Sequence, residues 1–326
     1  MEEKQNYILR YYSTVETEKV EWLWYPYIPF GKITIVQGDP GEGKSTFLIQ
    51  LTALLTTGKA MPDGSGDRIA RNVIYQAAED GLADTVRPRL EKAGADCSRV
   101  AFLDLGDEFM NLDDSRFEKA IVDAKASLLV IDPMQSFLSA DADPDRPSGL
   151  RPLLTRLARV ANRTKCAVVL VGHLNKKSSS SKGIYRGLGS IDLAAVARSI
   201  LLIGRDAENP NIRVIAHIKS SLAPEGKGYM FELDPDNGFH WLGESEYVVE
   251  DILSPPPRIT ETKKERAKGL IRQLLLEGDV ASTEIMAYLK ERGIGRRTAQ
   301  MARAEMDIVA RKKENSWYWH LEENDR

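Results

Sequence analysis

The chain has 326 residues, is 42% hydrophobic and 29% charged, and carries a formal net charge of −3. That length suits one large domain with a small one, and the near-neutral balance excludes a polycationic or strongly acidic chain. With no run of about 18 apolar residues and no signal-peptide core after Met1-Glu2-Glu3-Lys4, the sequence predicts a cytoplasmic protein without a membrane partner. Its two cysteines, Cys97 and Cys166, offer neither a disulfide framework nor zinc-ligand spacing.

Residues 1–25 read as an N-terminal arm ending in Trp22-Leu23-Trp24, where the indoles suit packing better than a functional box. Lys32-Ile33-Thr34-Ile35-Val36-Gln37 is a strand. It runs into Gly38-Asp39-Pro40-Gly41-Glu42-Gly43-Lys44-Ser45, a complete G-x-x-x-x-G-K-[ST] loop, and Thr46 opens a helical run. In that setting backbone N–H groups turn inward around phosphate oxygens and the helix N-terminus adds positive potential. Lys44 is placed to reach the β- and γ-phosphates of ATP, and Ser45 to ligate Mg²⁺. Residues Gly38 to Thr46 are therefore the predicted nucleotide-binding segment.

Further strands are expected at Asn72–Gln76, Val100–Leu103, Ser127–Ile131 and Cys166–Val171. Each is short and nearly continuous in apolar character, as central parallel strands covered on both faces require. Helix formers occupy 82–93, 115–124 and 150–163 between them. This alternation predicts an α/β fold with a mostly parallel sheet. Parallel strands gather their carboxyl ends on one edge, which makes their flanking residues site candidates. Glu79, after the Asn72–Gln76 strand, is placed to orient and deprotonate an attacking water, with Asp80 as the substitute. Asp132, following Leu128-Leu129-Val130-Ile131, is the second candidate Mg²⁺ residue. His173, just past the Cys166–Val171 strand, is placed to sense the γ-phosphate. The catalytic set is thus Lys44, Glu79, Asp132 and His173.

The polar run Asn175 to Gly187 carries Lys176, Lys177, Lys182 and Arg186, suited equally to tracking a phosphate backbone and to forming a solvated surface loop. From about residue 198 the pattern changes to strands joined by turns, at Ser199–Gly204, Arg213–Lys219 and Tyr229–Leu233, read as hairpins extending one sheet edge. Ser254-Pro255-Pro256-Pro257 marks a boundary, giving an ATPase domain over 26–250, a Pro-rich linker over 251–259 and a small domain over 260–326. Helices are expected at about 260–276, 282–292 and 297–306, then a hairpin in which Trp317, Trp319 and Leu321 share one apolar face. Three helices and a hairpin follow a winged-helix plan, with Arg296 and Arg297 entering the recognition position. Residues 257–326 hold 15 Lys and Arg against 12 Asp and Glu, an excess too small to identify a nucleic-acid face by itself.

The strand-end residues, in this order, resemble the RecA-like P-loop ATPases, and within them the hexameric helicases of the DnaB and plasmid RepA type. The resemblance spans about Trp22 to Trp241. It rests on Trp22-Leu23-Trp24 before Gly31-Lys32, the loop at 38–45, Gln76-Ala77-Ala78-Glu79-Asp80, Val171-Gly172-His173-Leu174-Asn175-Lys176, and Tyr185-Arg186-Gly187-Leu188-Gly189-Ser190-Ile191. It implies a Mg²⁺–ATP-hydrolysing homo-oligomer, usually a hexameric ring, with ATP between subunits and single-stranded DNA in the pore. The implied enzyme class is a DNA-dependent ATPase or helicase (EC 3.6.4 type). The family's K-x-R-N-G-P segment reads Lys219-Ser220-Ser221-Leu222-Ala223-Pro224 here, so Ser221 replaces the arginine finger. Lys219 and Arg205 remain as candidate trans-acting cations. Four functions follow: a DNA motor on single-stranded DNA, a DNA-binding regulatory or loader ATPase whose small domain holds duplex DNA, a recombinase, and a small-molecule kinase. The recombinase lacks its filament elements and the kinase its lid arginines.

Overall fold

The computed structural model describes residues 9–106, 108–138, 147–173, 191–206, 209–234, 236–245, 263–276, 278–306, 308–313 and 316–321. Contacts divide the chain into two units, Met1–Pro256 and Pro257–Arg326.

In the first unit, β1 (Trp22–Trp24) pairs antiparallel with β2 (Ile28–Pro29). The main series then runs β3 (Ile33–Gly38), α1 (Lys44–Thr56), β4 (Asn72–Ala77), α2 (Arg87–Lys92), β5 (Val100–Ala101), α3 (Ser115–Ala124), β6 (Ala126–Asp132), α4 (Pro147–Thr164), β7 (Ala167–His173), α5 (Ile191–Val196), β8 (Ser199–Arg205), β9 (Ile212–Ser220), β10 (Gly228–Asp234) and β11 (Gly238–Ser245). Strands β3 to β11 form one nine-stranded sheet in the order β11-β10-β9-β8-β3-β7-β6-β4-β5. Pairings from β8 through β5 are parallel, and β9, β10 and β11 add antiparallel strands at one edge. This is the mixed α/β architecture with a large, mainly parallel sheet expected of a RecA-like core.

The alternation of side chains along each strand separates two cores. Ile33, Ile35, Leu129, Ile131, Val168 and Leu170 face one side and pack with Phe117 and Ile121 of α3 and Leu154 and Leu157 of α4. Val36, Leu128, Val130, Val169 and Val171 face the other, against Phe47, Leu48 and Leu51 of α1. Burying each such aliphatic side chain contributes roughly 1.5–3 kcal/mol, so both faces must stay covered. Trp24 is buried in the second core, its ring 4.3 Å from Tyr27 and 6.4 Å from Phe47, so this indole is a packing residue.

Two elements depart from the sequence expectation. The Val100–Leu103 strand stops at Ala101, and the Gln76 side chain then takes over the pairing. Gln76 Nε2 donates to Leu103 O (3.3 Å), and Leu103 N donates to Gln76 Oε1 (2.8 Å). Strand β11 went unpredicted because it is an edge strand, covered unevenly along its length.

The second unit orders α6 (Lys263–Leu275), β12 (Val280–Ala281), α7 (Ser282–Glu291), α8 (Arg296–Ala304), β13 (Ile308–Lys313) and β14 (Ser316–Leu321). Its three strands form an antiparallel sheet, β12-β14-β13. Ala267, Ile271, Ile285, Leu289 and Ala299 pack with Trp319 and Leu321 in one small core. Trp317 does not join it: this indole is 54% exposed, against 3% for Trp319. The apolar face of the hairpin is thus covered at Trp319 and Leu321 and open at Trp317.

His217 of β9 is buried between β8 and the chain before β10. Its Nδ1 accepts from Gly226 N (2.9 Å), which leaves Nε2–H to donate to Ser199 Oγ (3.0 Å). Burial pushes its pKa down to about 4 from the usual 6.5. The folded state thus binds its proton less readily than the unfolded state. The stability this provides is complete above pH 6.5 and is lost as pH falls toward 4, an effect of roughly 3 kcal/mol. Urea midpoints between pH 7 and pH 4.5 are expected to fall more steeply for the wild type than for His217→Asn.

Candidate functional site

The loop between β3 and α1 is shaped by glycine where a side chain has no room. A Cβ on Gly38 would lie 2.3 Å from the Ile203 carbonyl oxygen of β8, a backbone atom that cannot swing away. Gly43 caps α1 with φ +85°, and a Cβ there would meet Leu233 and Phe231 at 3.0 and 3.3 Å. Lys44 follows as the first residue of α1 and is only 5% exposed. Its Nζ donates to the carbonyls of Gly38 and Asp39, both at 2.8 Å. Burial pulls the ammonium pKa down, and the charges of Asp132, Asp39, Glu42 and Glu79 oppose that pull.

Register brings the other candidates to the same edge. Gly38 of β3 pairs with His173 of β7, and Ala77 of β4 pairs with Asp132 of β6. Lys44, Ser45, Thr46, Glu79, Asp80, Asp132 and His173 line one cavity of about 360 Å³, with Pro40, Gly41 and Gly43 on its rim. Asp132 accepts the Tyr75 hydroxyl at Oδ2 (2.8 Å), and its carbonyl accepts Ala78 N (3.1 Å). Burial, followed by the Asp132 charge, pushes the Tyr75 phenol well above its ordinary pKa, so it remains a donor. Glu79 lies exposed at the mouth. Beside it Asp80 Oδ2 accepts from Arg89 Nη1 of α2 (2.7 Å). His173 lines the cavity, and its buried Nδ1 has no hydrogen-bond partner among the described residues.

The donor set suits a magnesium nucleotide. Among the described residues no cluster of three His, Cys, Asp or Glu makes an all-protein metal site. One hydroxyl and one carboxylate, Ser45 and Asp132, suit Mg²⁺, which takes its remaining oxygens from water and phosphate.

Gly38, Asp39 and Glu42 of the predicted segment lie behind the cavity rather than on its wall. The Glu42 carboxylate instead sits 3.5 Å from both Arg205 Nε and Arg213 Nε. These arginines are register partners on β8 and β9, and Arg213 is buried. Arg205, expected as a trans-acting cation, is therefore engaged by the loop of its own chain. Lys219 lies at the opposite end of β9, paired with Ile200, where its Nζ donates to the carbonyls of Ala194 and of Ala197 (2.8 Å for the latter). Lys176, Lys177, Lys182 and Arg186 fall outside the described residues. Arg296 and Arg297 are the exposed first residues of α8 in the second unit.

Sequence reasoning missed Tyr75, Arg89 and Arg213. Tyr75 carried a signal, since it lies two residues before the strand end on the face opposite Ile74. Arg89 and Arg213 carried none, because their partners are set by tertiary packing.

A family model described as AAA domain (AAA_25) matches residues 10–179. The DNA repair protein RadA of Halalkalibacterium halodurans is 24% identical over 226 residues, covering 69% of this chain and 44% of that protein. RadA of Brucella abortus is 30% identical over 151 residues, covering 45% of this chain and 29% of that protein. The chain thus spans less than half the length of these relatives. Among solved structures, the ATPase domain of G40P aligns with a TM-score of 0.49 at 14% identity, covering 66% of this chain and 85% of that one. The RadB recombinase aligns with a TM-score of 0.48 at 19% identity, covering 65% and 91%.

Gly38→Ala is expected to destabilise the first unit by about 1–3 kcal/mol, because β3 and β8 must separate to admit the methyl group. A wild-type urea midpoint in the purified variant would show that this contact does not set their spacing.

Proposed function

The chain belongs to the AAA domain family (AAA_25), and on that premise we propose that it is a Mg²⁺–ATP-hydrolysing DNA motor of the RepA or DnaB type, acting as a ring on single-stranded DNA. The observation that carries this is the meeting of Lys44, Ser45, Glu79, Asp132 and His173, from four different strand ends, around one cavity. Lys44 stabilises charge on the β- and γ-phosphates. Ser45 and Asp132 hold Mg²⁺, which neutralises phosphate charge when bound. Tyr75 fixes the Asp132 carboxylate. Glu79 orients the attacking water and takes its proton, and the Asp80–Arg89 pair anchors the turn that carries it. His173 lines the cavity from the end of β7 and connects hydrolysis to the segment that follows. That segment, with Lys176, Lys177, Lys182 and Arg186, follows single-stranded DNA. The second unit acts as a winged-helix-like module that meets DNA through Arg296 and Arg297. The relatives named for DNA repair agree with a DNA partner.

One observation favours the alternative, a regulatory or loader ATPase that uses ATP as an assembly switch. Lys219, the candidate finger, is committed to carbonyls of its own chain at the end of α5. A trans role requires it to exchange those bonds for a neighbour's nucleotide. A lysine also lacks the bidentate fork of arginine.

The deciding experiment measures ATPase rate with and without single-stranded DNA while recording oligomer mass. Lys44→Ala is expected to abolish hydrolysis. Glu79→Gln is expected to retain ATP binding and lose about 100-fold or more in turnover. Normal turnover in Glu79→Gln would overturn its role. Strong DNA stimulation within a closed oligomer supports the motor, and ATP-dependent assembly without stimulation supports the switch.

A further inference from the structure

The second unit holds a concave site that the ATPase chemistry leaves unused. Ser282, Met286 and Lys290 form one stripe along α7, and Arg296, Gln300 and Arg303 form another along α8, each at helical spacing. Trp317 and Trp319 of β14 close the third side of a cavity of about 710 Å³. Three cations line it and no acidic residue does.

Among the described residues no carboxylate pairs with the cations of this cavity, Lys290, Arg296 and Arg303. Two carboxylates of the unit are engaged elsewhere, Glu305 by Lys264 and Lys268, and Asp279 by Lys313 and His320. Arg303 lies over the buried Trp319 ring at 5.0 Å, which holds its guanidinium at the wall. Trp317 is half exposed one step along the same strand face, and its cross-strand partner is Lys312.

A flat, accessible indole beside unpaired cations matches one ligand chemistry: a planar base carried on a phosphate. A duplex cannot satisfy it, because paired bases expose their edges and keep their faces stacked. Reading a duplex groove also needs a protruding helix face, whereas Arg296, Gln300 and Arg303 look into a hollow. We infer that this cavity binds an unpaired nucleotide of single-stranded DNA, with the base on Trp317 and the phosphate beside Arg296 and Lys290. The inference rests on the DNA partnership proposed above and not on ATP hydrolysis.

The full chain is mixed with an oligothymidylate carrying 5-iododeoxyuridine, irradiated, and digested for mass spectrometry. An adduct on Trp317 is expected. In parallel, fluorescence anisotropy with unmodified oligothymidylate should show Trp317→Ala weakening binding about tenfold, with Trp317→Phe largely restoring it. Arg296→Ala should flatten the log–log salt slope by about 0.7. Since Trp317 lies outside the small core, a matching thermal transition checks that each variant is folded. Absence of an adduct at Trp317, or unchanged affinity in Trp317→Ala, would overturn the site. An equal loss on a duplex of the same length would make the face a duplex reader, and a larger loss on oligouridylate would replace DNA by RNA. A preparation that forms the adduct but hydrolyses no ATP would remove the proposed ATPase and leave this site standing.

Discussion

The first unit is organised around one nearly buried ammonium group. Lys44 is 5% exposed, and a lone cation at that depth would lose its proton or unfold its surroundings. Two carbonyls of its own loop satisfy it directly, while carboxylates of the loop and of the ends of β4 and β6 hold it charged from a distance. Those acids can be there only because the strands are parallel and in register, so that Gly38, His173, Asp132 and Ala77 finish on one edge. The same placement that tolerates the lysine brings acids to the cavity wall. A buried structural cation would need only the carbonyls. The additional acids and the accessible Ser45 are what a metal-bound phosphate would use.

The sheet supplies the stiffness this arrangement needs. Its central strands are buried on both faces, and α1, which begins at Lys44, packs Phe47, Leu48 and Leu51 into one of the two cores. A shift of α1 therefore disturbs the core and not merely a loop. Gly38 ties the loop to β8 at a contact too close for a methyl group, and Glu42 ties it to Arg205 and Arg213. The phosphate loop is thus fastened to the antiparallel edge as well as to the parallel centre. A change in the nucleotide felt by Glu42 reaches β8 and β9 directly.

What could be read in advance follows the same physics. The loop at 38–45 and the apolar strands before Asp132 and His173 were legible because motif and burial are local properties. The exposed Glu79 was placed by strand order alone, an inference available only for parallel sheets. Partners across the fold were not legible. The Arg213–Glu42 contact joins residues 171 positions apart, and no periodicity encodes it. The hairpin of the second unit shows the opposite failure. Period two correctly grouped Trp317, Trp319 and Leu321, yet it could not say where the helices beneath would end, and Trp317 fell outside.

The two candidate trans cations occupy opposite ends of the sheet, and this separates their chemistry. Arg205 stands at the edge that carries its own phosphate loop and is held by that loop's Glu42. It is suited to report on the nucleotide of its own chain. Lys219 stands at the far end of β9, away from its own phosphate loop, so any ATP phosphate it met would belong to another chain. There its ammonium is bonded to the last carbonyls of α5, the helix that follows residues 174–190 in sequence. If Lys219 turned to a neighbour's nucleotide, α5 would lose its cationic cap. In the proposed ring, finger engagement and the loss of that cap would then be one event. An arginine finger free of such a bond would offer no such coupling. In the proposed ring the lysine would thus be a conditional contact, as the switch reading requires.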